Sequence, residues 1–167
     1  MAKLRSPNYP SLTLAEAIEK VRLVYAVEHT HPTPKEVIAK DLGYGSVNGS
    51  SLTAIGALRR YGLLEDAGDG MRVSDDAVCI LELPAGDSAR NEALKRTAFS
   101  PGPFSDLQNE FGMALPGEAN LRHWLIKREF LPRAADELIR VYRANLDLVG
   151  PCNNGDNENM TGGVERE

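Results

Sequence analysis

The segment from Thr33 to Val73 constrains this chain most, because its punctuation reads as a helix, a tight turn, a second helix and a β-hairpin in immediate succession. Thr33-Pro34-Lys35-Glu36 has the form of a helix start. Thr33 can cap free backbone N–H groups, Pro34 needs no donor at the first helical position, and Glu36 can close a capping box. Val37, Ile38 and Leu42 supply the apolar side of this short helix, and Gly43-Tyr44-Gly45-Ser46 ends it in a turn. Leu52, Ile55 and Leu58 recur at helical spacing, which predicts a second helix over about 49–61 with Gly62 as its stop. Leu63-Leu64-Glu65, the turn material Ala67-Gly68-Asp69-Gly70, and Met71-Arg72-Val73 then predict a hairpin. Ser74 followed by Asp75 and Asp76 places acids at the positive end of a further helix.

Upstream, Thr13-Leu14-Ala15-Glu16 is another capping box, and Leu14, Ala17, Ile18, Val21, Val24 and Tyr25 form a helical stripe. With that helix in front, residues from about 11 to 82 resemble a winged helix-turn-helix domain of bacterial or archaeal type. The stretch 6–149 also resembles a group of small prokaryotic proteins of uncharacterised function. The shared pieces are Ser6-Pro7-Asn8-Tyr9-Pro10, His31-Pro32-Thr33-Pro34, Arg60-Tyr61-Gly62-Leu63-Leu64 and Asn120-Leu121-Arg122. The first resemblance implies a fold in which the hairpin is a wing beside a three-helix core. Neither names an activity, because fold does not fix function.

Four further helices are expected beyond Asp87. One spans Asn91 to Ala98; a second starts at Pro103 with Phe104, Leu107 and Phe111 inward and stops at Gly112. A third, from about Glu118 to Arg128, puts Leu121, Trp124 and Leu125 on one face, and the last carries Ala135, Leu138, Ile139, Tyr142 and Leu146. The expected fold is therefore mostly α with a small β-hairpin wing, a winged helix-turn-helix followed by an all-helical lobe. Its parts are an N-terminal arm over 1–10, the winged domain over 11–83, the helical lobe over 84–149 and a disordered acidic tail over 150–167. Each lobe alone is marginal in the surface it can bury, so the two should share an interface.

Net charge is −5, but it is unevenly spread. Residues 1–75 hold nine basic and nine acidic groups, 76–149 hold nine and eleven, and 150–167 hold one and four, so three of the five excess negative charges sit in the tail. No run approaches the roughly 18 apolar residues of a membrane span, and Met1-Ala2-Lys3-Leu4-Arg5 is not followed by a secretory apolar run, so a cytoplasmic location is expected. Cys79 falls in an apolar helix and Cys152 in the tail, which argues against a structural disulfide between them. No phosphate-binding Gly-Lys-Ser/Thr loop, His-Glu-x-x-His or Gly-x-Ser-x-Gly elbow is present, and no enzyme is expected.

In a helix-turn-helix the start of the second helix enters the major groove, where polar side chains reach base edges. Asn48, Ser50, Ser51 and Thr53 occupy that position, and Gly49 and Gly56 reduce bulk. Lys35, Lys40, Arg59, Arg60 and Arg72 are the candidates for DNA-phosphate contact. The expected partner is duplex DNA, with a homodimer through the helical lobe where an operator is read. The competing expectation is a protein-binding adaptor, in which Ser50, Ser51, Gly56 and Ala57 pack on a partner and an apolar patch is exposed. Single-stranded nucleic acid is disfavoured by the scarcity of aromatics. His29 and His31 beside Glu28 lack the ligand number of a zinc site, so no metal and no cofactor are expected. His123 has no assignable nucleophile beside it, and Trp124 reads as core.

Overall fold

The computed structural model describes residues 7–150; the expectations for residues 1–6, the tail after Gly150 and Cys152 lie outside them. Helix α1 (Leu14–Glu28) begins at a complete capping box, with Thr13 and Glu16 each accepting from the other's backbone N–H. It buries Leu14, Ala17, Ile18, Val21 and Val24 and is the hub of the fold. Helices α2 (Lys35–Asp41), α3 (Gly49–Arg60), α4 (Asp75–Glu82) and α8 (Pro132–Val149) all pack on it.

Thr33 departs from its expected role. Pro34 is the residue that caps α2, and no side chain caps that end, so the capping box with Glu36 does not form. Thr33 is instead buried in an isolated antiparallel bridge to Met71, donating and accepting backbone bonds of 2.8 and 2.9 Å. The bridge satisfies two backbone groups that burial takes from water, which a cap on an exposed helix end does not require. Its partner strand belongs to the hairpin of β1 (Leu64–Ala67) and β2 (Gly70–Val73), whose register pairs Leu64 with Val73 and Glu65 with Arg72. Gly70 is needed where this third segment meets the turn: a Cβ there would lie 2.3 Å from the Thr33 carbonyl oxygen. Ser74 then caps α4, accepting from Ala77 N–H and donating to the Gly62 carbonyl.

The remaining helices are α5 (Ser88–Ala98), α6 (Gly102–Phe111) and α7 (Glu118–Lys127), followed by α8. Helix α5 starts earlier than its apolar pattern predicts, because the Asp87 carboxylate caps Ala89 and Arg90 N–H. Salt bridges tie α5 to α4 (Arg96–Asp76, 2.8 Å) and α7 to α8 (Arg122–Asp136, 2.9 Å). One contiguous apolar cluster runs from Leu14 to Val149, so the first and second halves share a core.

A buried polar joint crosses that shared core. Asn145 on α8 accepts from Leu14 N–H at 2.7 Å and donates to the Tyr61 hydroxyl at 3.0 Å, while that hydroxyl donates to the Leu12 carbonyl at 2.7 Å. Leu14 N–H is one of the donors that α1 itself cannot satisfy. Asn145→Ala therefore leaves a buried donor without an acceptor and should cost about 2–3 kcal/mol. The corresponding fall in Tm, read by thermal unfolding, is about 4–12 °C.

Candidate nucleic-acid interface

Helix α3 packs on α1 and buries Ser51, Ala54, Ile55, Ala57 and Leu58. Asn48 and Ser51 form a reciprocal capping box: Asn48 Oδ1 accepts from Ser51 N–H at 3.0 Å, and Ser51 Oγ accepts from Asn48 N–H at 2.8 Å. The Ser51 hydroxyl also donates toward the Ser46 carbonyl at 3.1 Å. Ser51 is thus buried and committed to holding the turn, and the structure withdraws it from the expected base-contact set. Asn48 is exposed, but its carbonyl oxygen serves the cap.

Opposite the buried stripe, Gly49, Thr53, Gly56 and Arg60 follow one another at i, i+4, i+7 and i+11, the spacing of one helix face. Thr53 and Arg60 are exposed, and the Thr53 hydroxyl donates to the Gly49 carbonyl at 2.9 Å. No carboxylate occurs anywhere from Leu42 to Leu64, so this face carries no fixed negative charge of its own. Ser50 lies on one flank, lining a shallow depression with Lys20 and Tyr44. The other flank is a groove of about 390 Å³ between α3 and the hairpin, lined by Lys35, Leu52, Ile55, Arg59, Asp66 and Met71.

The five expected phosphate contacts are not equivalent. Lys35 and Arg59 share the groove. Arg59 pairs with Asp66 at 2.9 Å and Arg72 pairs with Glu65 at 2.7 Å, all four side chains remaining solvent-accessible. Arg60 extends back along α3, its guanidinium close to where a Cβ on Gly56 would sit. Lys40 is exposed but stands roughly 140° around α2 from Lys35 by helical geometry and does not line the groove. Two features escaped the sequence expectations. Glu65, Asp66 and Asp69 make the hairpin acidic against Arg72 alone, and Leu52 and Val37, expected inward, are 45% and 37% exposed. The hairpin register was a readable signal for the Glu65–Arg72 pair; the Arg59–Asp66 contact had none.

The C-terminal ends of α1 and α2 hold two carboxylates, Glu28 and Asp41, together. Asp41 has its carboxyl pKa raised to about 6, first by desolvation and then by hydrogen bonding and charge from Glu28. Its Oδ2 is buried without a donor. The folded protein thus retains a proton that the unfolded chain releases near 3.8. Stability contributed by this group is fully present below that value and is lost as pH rises to about 6. Asp41→Asn, compared with the unsubstituted protein by denaturant unfolding at pH 4 and pH 6.5, should flatten that part of the profile.

Elsewhere, the His29 and His31 rings lie 6.5 Å apart, and among the described residues no three His, Cys, Asp or Glu side chains cluster as metal ligands do. His123 is exposed on α7. Trp124 packs edge-on to Phe111 and under the Arg128 guanidinium, 3.9 Å from the ring centre. Among the described residues no helix is long and apolar enough to cross a membrane. No family model, curated protein or solved structure matches this chain.

Proposed function

We propose that residues 11–83 form a winged helix-turn-helix and that the protein binds duplex DNA through α3, as a transcriptional regulator or DNA-associated accessory factor. The observation that carries this reading is the small, carboxylate-free face Gly49, Thr53, Gly56 and Arg60 on a helix anchored by its opposite side. A helix presented in this way can approach base edges closely, with Arg60 and Lys35 available to phosphate oxygens. The Thr33–Met71 bridge supports the winged assignment, since it adds a third extended segment to the hairpin beside the helices. One twelve-residue helix covers few base pairs, so reading an operator calls for two copies, paired through residues 84–149.

The test is gel-shift binding to a mixed pool of duplex DNA at two salt concentrations, with Arg60→Ala beside the unsubstituted protein. Binding that weakens steeply with salt, and further on losing Arg60, is expected; absence of binding at low salt rejects the reading. A protein-binding adaptor is the second reading. It is favoured by the exposed Leu52 bordering the groove and by the acidic hairpin, both suited to a partner with an apolar anchor and basic rim. In that case Leu52→Asp abolishes capture of the partner and leaves duplex DNA unbound throughout.

A further inference from the structure

We infer that Glu65 and Asp66 attenuate the protein's general affinity for DNA by occupying Arg72 and Arg59, so that cation–phosphate attraction alone holds a duplex only weakly. The inference rests on the DNA-binding reading and adds to it a reason why the hairpin beside α3 sets a carboxylate against each of two arginines, Asp66 in the groove and Glu65 on the alternate face of the hairpin. Each pair joins a cation expected at phosphate to an acid on the hairpin: Arg59 to Asp66 at 2.9 Å, and Arg72 to its cross-strand neighbour Glu65 at 2.7 Å. Both pairs are open to solvent, where such contacts are weak and exchange readily. A phosphate can therefore replace either carboxylate.

The exchange gives little net gain. A freed carboxylate stays beside the backbone it has yielded to, and its repulsion opposes the attraction of the arginine. Non-specific affinity comes almost wholly from cation–phosphate contacts with counterion release, and that is the contribution these acids cancel. The stripe Gly49, Thr53 and Gly56 lies on α3 itself and bears no acid, so contacts to base edges are untouched. Glu65 and Asp66 thus lower binding to every sequence by about the same factor, so that only a duplex also contacted along α3 is held tightly enough to stay bound. Lys35, which lines the groove with Arg59 and has no ion pair among those described, and the exposed Arg60 supply the attraction that remains.

The test is fluorescence anisotropy with a mixed-sequence duplex, across a salt series, for the full chain and Glu65→Gln/Asp66→Asn. The double variant should bind about tenfold tighter or better at low salt. Its log–log salt slope should steepen by one to two, as expected for about 0.9 per additional phosphate contact. Adding Arg59→Ala/Arg72→Ala to it should erase the gain. A charge-matched variant, Glu92→Gln/Glu110→Gln on α5 and α6, should stay within about twofold of the unsubstituted protein, since distant exposed charges are screened. Equal gains in the two charge variants, or binding by the unsubstituted protein that Glu65→Gln/Asp66→Asn leaves unchanged, overturn the inference and leave the DNA reading standing. No binding by any variant overturns both.

Discussion

Truncation of Phe104 to alanine is expected to destabilise the protein by about 3–5 kcal/mol, the range for removing a fully enclosed aromatic side chain. Phe104 has no exposed surface, and its ring stands 6.3 Å from Tyr61 and 5.3 Å from Tyr142. Those two tyrosines belong to different halves of the chain: Tyr61 closes α3, and Tyr142 lies in the middle of α8. The residue is therefore a keystone between α3 and the helical lobe. At about 2–4 °C per kcal/mol for a domain of this size, Tm should fall by roughly 6–20 °C. Calorimetry should still give one transition, because the apolar cluster is continuous across both halves. Two resolved transitions, with only one of them shifted, would mean that the halves fold independently.

Thr53→Glu should have the largest effect on function while leaving the fold intact. The position is exposed in the middle of α3, and glutamate is the better helix former, so stability should change by no more than about 0.5 kcal/mol. A carboxylate there faces whatever α3 faces. Two like charges about 5 Å apart near a protein surface repel by roughly 3 kcal/mol, which corresponds to a loss of duplex affinity of about a hundredfold. A partner protein with a basic rim would respond in the opposite direction. Anisotropy titration of Thr53→Glu against mixed-sequence duplex, with circular dichroism as the folding control, separates the two.

Local chemistry made much of the architecture legible before any coordinates. Thr13 with Glu16 and Ser74 act at the helix ends where capping chemistry predicts them, and Gly62 and Gly112 stop α3 and α6 at positive φ. These signals are local, so the sequence displays them. Thr33 misled because its value lies in a partner nearly forty residues away: the cap and the bridge to Met71 compete, and burial decides for the bridge. Leu52 and Val37 misled for a related reason. Helical spacing identifies a face but not its width: Leu52 stands about 60° around α3 from the buried Ile55, and Val37 about 100° around α2 from the buried Ile38, each at the edge of its stripe.

The candidate surface was legible to a similar degree. The sequence reading named Thr53 for base contact and Arg60 for phosphate contact, and both are exposed on α3, yet it also counted Ser51, whose hydroxyl turns inward to complete the cap with Asn48. The five cations read as one set, whereas the fold divides them. Lys35 and Arg59 face one groove, Arg59 and Arg72 are already paired, and Lys40 stands apart. That division depends on the crossing of α3 and the hairpin, which a single sequence does not encode at short range. The Asn145 joint was hidden for the same reason, since its partners Leu14 and Tyr61 lie 131 and 84 residues away.

The proposed function requires α3 to present its Gly49–Thr53–Gly56–Arg60 face to duplex DNA. An NMR titration of the isotope-labelled full chain with a mixed-sequence duplex tests it most directly. Amide shifts should centre on those four residues and extend to Lys35 and the hairpin, while α5 to α8 stay unmoved. Shifts confined to the helical lobe, or none at low salt, would contradict it.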